Sequence, residues 1–352
     1  MKIFACQNCG NLVHFENTVC MRCGAPLGFL PERLLLTALA EQADGSLMAL
    51  GGTTDTWRRC ANADIVGCNW LVPTGSGASF CPSCALNNTI PDLDMPENVE
   101  GWTAIETAKR RLVYALLRLN LPLQSAAHPE ASLRFDFLAD IAGDEPVLTG
   151  HDEGLITLNI AEADSTERER RRSQLGEPYR TLLGHFRHEV GHYYWDLLVR
   201  DAGREEESRA VFGDERLDYN EALQAHYANG APPDWQQGHV SAYATMHPWE
   251  DFAETWTHYL HMIDTLDTAA SFGMAINPVV GDDPHDNAFV GFDPYHAPDI
   301  DRLIEAWLPM TVALNSLNRS MGQPDLYPFA LTPPAIEKLR FIQDLVASSG
   351  AR

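Results

Sequence analysis

His188-Glu189-Val190-Gly191-His192 sets two imidazoles four residues apart, with a carboxylate directly after the first. On a helix such residues lie one turn apart on the same face, so both rings can reach one metal ion. Glu189, about 100° round the helix, then meets water at that ion rather than the ion itself. The chemistry this arrangement can do is zinc-dependent hydrolysis, with Glu189 taking the proton of the attacking water. Two histidines leave such an ion one short of the three protein ligands that catalytic zinc usually has. The segment from Ser241 to His258 offers the missing one, because Glu250 and Glu254 stand four apart and share a helix face. Glu250 would complete a His₂Glu set, and Glu254 would accept the free N–H of a ligating histidine. Phe252, Trp256 and Tyr259 around the two acids mark that face as buried rather than solvated.

A second chemistry lies at the other end of the chain. All eight cysteines fall between Cys6 and Cys84, and three of the four pairs are Cys-x-x-Cys knuckles. Short knuckles suit two thiolates converging on one tetrahedral zinc ion. Cys6, Cys9, Cys20 and Cys23 form one four-cysteine set, with Gly10 and Gly24 after the knuckles permitting tight turns. Cys60, Cys68, Cys81 and Cys84 form a second, less regular set. Four thiolates fill the tetrahedral shell, so both sites read as structural, and zinc would stand in for a core that this turn-rich stretch lacks. The expected complement is therefore three Zn²⁺ per chain, one catalytic and two structural.

The elements that must position these groups follow from periodicity. Pro31 to Leu50 alternates in hydropathy with a break at Asp44-Gly45, which predicts a hairpin. Arg58-Arg59 beside Cys60 reads as a solvated turn. A linker is expected from Asn87 to Gly101, followed by a long helix with Trp102, Ile105, Ala108, Leu112, Ala115, Leu116 and Leu119 on one face. Thr103 and Glu106 have the spacing of a capping box at its start. Leu133 to Leu138 and Gly154 to Ile160 alternate as half-buried strands do. After the charged run Glu167 to Arg172, Pro178 marks the start of the helix that carries His188, with Leu182, Leu183, Phe186, Val190, Tyr193 and Leu197 as its buried face. Gly191 would allow another backbone close. Gly273 to Pro298 predicts a long loop, a candidate lid, and Thr332 to Val346 a capped closing helix whose role is packing. The fold class expected is α+β, with an N-terminal tandem zinc-ribbon domain over 1–95 and a metal-site domain over 96–352. A strand edge above the motif helix would let a peptide add by β-augmentation.

The catalytic part resembles the gluzincin metallopeptidases, the class of thermolysin and anthrax lethal factor, because H-E-x-x-H is followed 58 residues later by E-x-x-x-E. In the lethal-factor type a tyrosine stands seven residues before the third ligand; here that tyrosine is Tyr243, and the resemblance implies that it hydrogen-bonds the oxyanion. The Gly-x-Met-x-Asn run of gluzincin aminopeptidases is absent upstream of His188, which favours an endopeptidase. The whole chain resembles a bacterial family of zinc-binding metallopeptidases with an N-terminal zinc ribbon. The matching runs begin at Cys60, Cys68, Asn88 and Gly184, and the last extends from Asn318 to Tyr327. The resemblance implies a zincin-like fold and a peptide or protein substrate.

Composition narrows the partners. Lys+Arg 25 against Asp+Glu 49 gives a net charge of -24, which repels phosphate and disfavours nucleic acid and anionic membranes. The first 95 residues are less acidic, with five basic against eight acidic side chains. No run approaches the roughly 20 apolar residues of a membrane span, and no signal-peptide pattern follows Met1, so the expected address is cytoplasmic. The ribbons could recognise or restrain a substrate or bind a protein partner. Two other classes stay open at this point: a silent zincin scaffold used for binding, and a protease with the ribbons as nucleic-acid sensor. His185, His247 and His258 read as supporting residues rather than ligands, and Asn318, Arg319 and Asp325 as a polar loop cluster outside the chemistry.

Overall fold

The computed structural model of the 352-residue chain describes residues 2–51, 54–140, 147, 149–175, 181–281 and 283–349. Its residues fall into two compact units, 1–118 with 133–150 and 155–168, and 119–132 with 151–154 and 169–352. This is a division by packing; the 95/96 boundary read from the sequence is one of composition.

In the first unit, β1 (Phe4–Ala5) and β2 (Leu12–Val13) pair antiparallel and carry the first knuckle between them. Five antiparallel strands follow in sequential order: β3 (Leu27–Leu30), β4 (Leu35–Glu41), β5 (Leu47–Ala49), β6 (Thr56–Arg59) and β7 (Leu71–Pro73). The expected hairpin is β4–β5, registered by Leu39 opposite Ala49 and Glu41 opposite Leu47. Phe29 bridges Trp70, so the sheet curls back on itself. Its interior holds Leu30, Leu39, Leu47, Trp57 and Leu71, while Phe15, Phe29 and Trp70 pack edge-on or tilted, joined by Tyr114. The cysteine-rich region therefore builds an apolar core, contrary to the expectation that metal would replace one. Arg58 and Arg59 lie in strand β6 instead of a solvated turn, and the Arg58 guanidinium donates to the carbonyls of Thr74 and Ala78.

Beyond the short α1 (Ala63–Val66), strand β8 (Asn87–Thr89) and helix α2 (Pro96–Arg118) occupy much of the expected linker. Proline at the start of α2 has no N–H to leave unsatisfied, so the helix opens two turns before Thr103. The capping box is thereby overturned: Thr103 donates to the Val99 carbonyl in mid-helix, and Glu106 forms a buried ion pair with Lys109 at 2.6 Å. The apolar face is as expected, with Trp102, Ile105, Leu112 and Leu116 fully buried. The two half-buried strands are β9 (Arg134–Leu138) and, after the short β10 (Gly150–Asp152), β11 (Leu155–Asn159); β9 runs parallel to both β8 and β11.

Helix α3 (Ser165–Leu175) carries the charged run, and Pro178 and Tyr179 lie outside the described residues. The second unit is helical: α4 (Leu182–Trp195), α5 (Glu205–Phe212), α6 (Tyr219–Asn229), α7 (Pro248–Ser271), α8 (Ile300–Ser320) and α9 (Pro333–Ser349). Thr181 caps α4 by accepting the Gly184 N–H at 3.0 Å. A π-helical stretch over Asp196–Arg200 shifts the register, so Val199 rather than Leu197 continues the buried face of Phe186, Val190 and Tyr193. The Gly273 to Pro298 stretch contains its own small hairpin, β12 (Ala275–Ile276) with β13 (Ala288–Phe289). Helix α9 does more than pack, because Lys338 reaches Asp251 of α7 and the Gly238 carbonyl, each at 2.6 Å.

Candidate metal centre

Helices α4 and α7 meet where a side chain would not fit. A Cβ at Gly191 would stand 2.9 Å from Ala253 Cα, closer than real Cβ atoms come, so glycine lets the two backbones touch. Close to that contact lie the candidate ligands: His188 about one turn before Gly191, His192 directly after it, and Glu250 about one turn before Ala253. His188, His192 and Glu250 each offer an atom within 4.8 Å of the others. His188 Nε2 is 2.9 Å from Glu250 Oε2, and His192 Nε2 is 3.5 Å from Glu250 Oε1.

The hydrogen bonding of these atoms favours a cation. His188 Nδ1 is 2.7 Å from Glu254 Oε1, whose other oxygen accepts a 2.5 Å bond from Ser241 Oγ. With its Nδ1 proton given to Glu254, a neutral His188 turns a lone pair toward Glu250 Oε2, a buried oxygen that accepts no hydrogen bond among the described residues. Two facing lone pairs call for a positive charge between them, and a third donor, His192, stands beside them. Histidine nitrogens and a carboxylate oxygen make the donor set of catalytic zinc, so these residues fit that ion. Without it, burial opposes charge on His188, but the carboxylates of Glu250 and Glu254 outweigh burial and hold its pKa well above the ordinary value. Burial likewise works against ionised Glu250, yet His192 and His188 bring its pKa well below the usual carboxylate range.

Glu189 is buried beside the ligands, with His185 Nε2 3.3 Å from its Oε1. Burial tends to raise its pKa; the His185 contact and the charges of the neighbouring imidazoles reverse that and lower it. A carboxylate that stays ionised can accept a proton. Tyr243 lies in a 3₁₀ turn over 243–245, its ring 6.0 Å from that of His188. Burial and the Glu250 carboxylate raise its pKa, so it keeps its O–H as a donor.

Other expectations resolve plainly. His247 caps α7, accepting from the Trp249 N–H at 3.1 Å. His258 meets the Tyr327 hydroxyl at 2.5 Å among aromatic rings. Arg319 clasps Asp325 with two 2.6 Å bonds and Asn318 donates to the Pro324 carbonyl, so this cluster holds its own loop. Four side chains to which the sequence reading gave no part in the ligand set also stand beside it. Tyr219 of α6 donates to Glu250 Oε1 at 2.8 Å, and Trp249 packs on His192 with ring centres 3.8 Å apart. Ser241 holds Glu254, and His151 lies 6.1 Å ring to ring from His192, with burial bringing its pKa down to about 4. Trp249 and Ser241 stand in the same segment as Glu250 and could have been picked out there; nothing in spacing singles out Tyr219 or His151.

Each cysteine set converges as well. Cys6, Cys9, Cys20 and Cys23 form one cluster and Cys60, Cys68, Cys81 and Cys84 another, with sulfurs within 4.8 Å in each. Gly10 and Gly24 both take φ of 73°, the left-handed turn that the knuckles require. In the second set the Cys81 and Cys84 N–H groups donate to Cys60 and Cys81 sulfurs at 3.4 Å, as thiolate ligands accept.

Residues 98–345 match the family described as "Putative zinc-binding metallo-peptidase", and residues 3–95 match a zinc-ribbon domain. Uncharacterized proteins of Mycobacterium tuberculosis and Mycobacterium bovis are each 42% identical to the chain over 348 residues, covering 98% of it and 95% of the relative. No solved structure matches the chain.

Proposed function

Because the chain belongs to this family of zinc-binding metallopeptidases, we propose that it is a zinc-dependent endopeptidase of the gluzincin type on a zincin-like fold, acting on peptide or protein substrates in the cytoplasm. His188, His192 and Glu250 would hold the catalytic ion, and the two four-cysteine sets one structural zinc each. The observation that carries this reading is the Glu250 carboxylate set against both imidazoles, with Glu254 taking the far nitrogen of His188.

Zinc, when bound, supplies Lewis acidity that lowers the pKa of water and polarises a carbonyl. The chain supplies the rest. Glu189 accepts the proton of the attacking water and passes it to the leaving amine. The Tyr243 hydroxyl donates to the oxygen that becomes negative as the carbonyl is attacked. Glu254, steadied by Ser241, keeps His188 in the tautomer whose Nε2 is free to ligate. The sequence domains, 1–95 and 96–352, divide the work, the ribbons recognising or restraining substrate and the larger part cutting it. Against the silent-scaffold reading stands the completeness of the set, and the net charge of -24 weighs against a nucleic-acid sensor.

Glu189→Gln tests the central role. The variant should keep its metal and cleave an unfolded protein such as casein about 10²- to 10⁴-fold more slowly. Cleavage at the wild-type rate would remove the general base from the account.

A further inference from the structure

Helix α6 is an unusual neighbour for a metal centre, since none of its residues is buried. An isolated helix of this length is marginal in water, so contacts made by a few side chains must keep it in place. Its N-cap, Asp218, accepts from the Glu221 N–H at 2.8 Å and holds only its own first turn. Among the contacts that reach outward are those of Tyr219 and His226, seven residues apart on one face. The Tyr219 ring lies edge-on to Trp249 at 6.0 Å and to His247 at 5.5 Å. The His226 ring stands 5.8 Å from that of Tyr243. The Tyr219 hydroxyl gives the helix its polar link to a candidate ligand, at Glu250 Oε1.

We propose that Tyr219 is the positioning residue of the Glu250 carboxylate and that, through it, helix α6 docks onto the metal centre. A carboxylate ligand has two oxygens, and a monodentate geometry needs one of them engaged elsewhere. Tyr219 engages Oε1, which leaves Oε2 directed at His188 Nε2. Glu254 does the same service for His188. The two ligands are thus steadied from different places: His188 by Glu254 of α7, the helix that also bears Glu250, and Glu250 by Tyr219 of the surface helix α6. Because the Tyr219 bond forms only with α6 docked, metal binding and docking must favour each other by the same factor. The proposal rests on the reading that His188, His192 and Glu250 hold zinc.

The test uses the full-length chain with its cysteine sites loaded. Zinc is titrated into the remaining site against a chromophoric chelator, and backbone hydrogen exchange of 214–231 is followed with and without that zinc. In the wild type zinc should slow exchange across α6. Tyr219→Phe should bind the third zinc about 10–100-fold more weakly, with the cysteine-site zinc unchanged and the zinc-dependent protection of α6 lost. Gln224→Ala, on the same helix but exposed, should bind zinc within a few-fold of the wild type. Tyr219→Phe with wild-type zinc affinity overturns the positioning role, as does a wild-type α6 whose exchange ignores zinc. Neither of those touches the metal-site reading. A wild-type chain that takes up no third zinc overturns both, and the titration shows this before any variant is compared.

Discussion

The cysteine clusters and the His188/His192/Glu250 centre gather metal-binding atoms by opposite means. Three of the four cysteine pairs are knuckles, turns a few residues long whose backbone directs the sulfurs, and in the second set backbone N–H groups donate to the sulfurs. The histidine–glutamate centre comes from two helices pressed together at Gly191 and Ala253, and its supports are side chains from Ser241, Glu254 and Tyr219. A four-thiolate shell is full, whereas two imidazoles and one carboxylate leave a tetrahedral position for water and substrate. The lesson is that a closed site can be built locally, while an open one needs its missing ligand replaced by long-range scaffolding.

If helix contact builds the open centre, crowding that contact should damage it alone. Gly191→Ala puts a methyl 2.9 Å from the Ala253 backbone, so the helical unit should lose up to about 3 kcal/mol. Zinc retention should fall at the histidine site and not at the cysteines, as measured by urea unfolding and metal content together. Equal loss at all sites would erase the distinction. A smaller effect should appear in acid. Burial brings His258 down to about 4 from an ordinary 6.5, and a base held below its unfolded pKa adds stability that is present above pH 6.5 and lost as pH falls toward 4. The loss between pH 7 and pH 5 should be roughly 2 kcal/mol, and His258→Gln should flatten it. A variant with the wild-type slope would show that other groups govern acid sensitivity of the helical unit.

The same contrast explains what was legible in the sequence. Both cysteine sets could be read from spacing alone, and so could His188 and His192, because knuckles and helical turns are local geometry. Glu250 and Glu254 were legible only by asking what an incomplete ligand set lacked. Tyr219 and His151 were not legible, since their place beside the centre depends on how the chain packs and not on any interval along it. In the fold, hydropathy gave the helix faces and the β4–β5 hairpin. It missed the start of α2, where Pro96 opens the helix within a stretch whose composition resembles a linker. Glu106 was misread for a related reason: a carboxylate three residues after a threonine looks like a cap, and only packing against Lys109 shows it to be buried.

The most direct test of the account is zinc content per chain, for the wild type and for His188→Ala/His192→Ala. Two closed thiolate sites and one open histidine–glutamate site predict about three zinc ions falling to about two. A wild-type value near two that the double variant leaves unchanged would mean that the α4–α7 pair holds no metal, and the peptidase reading would fall with it.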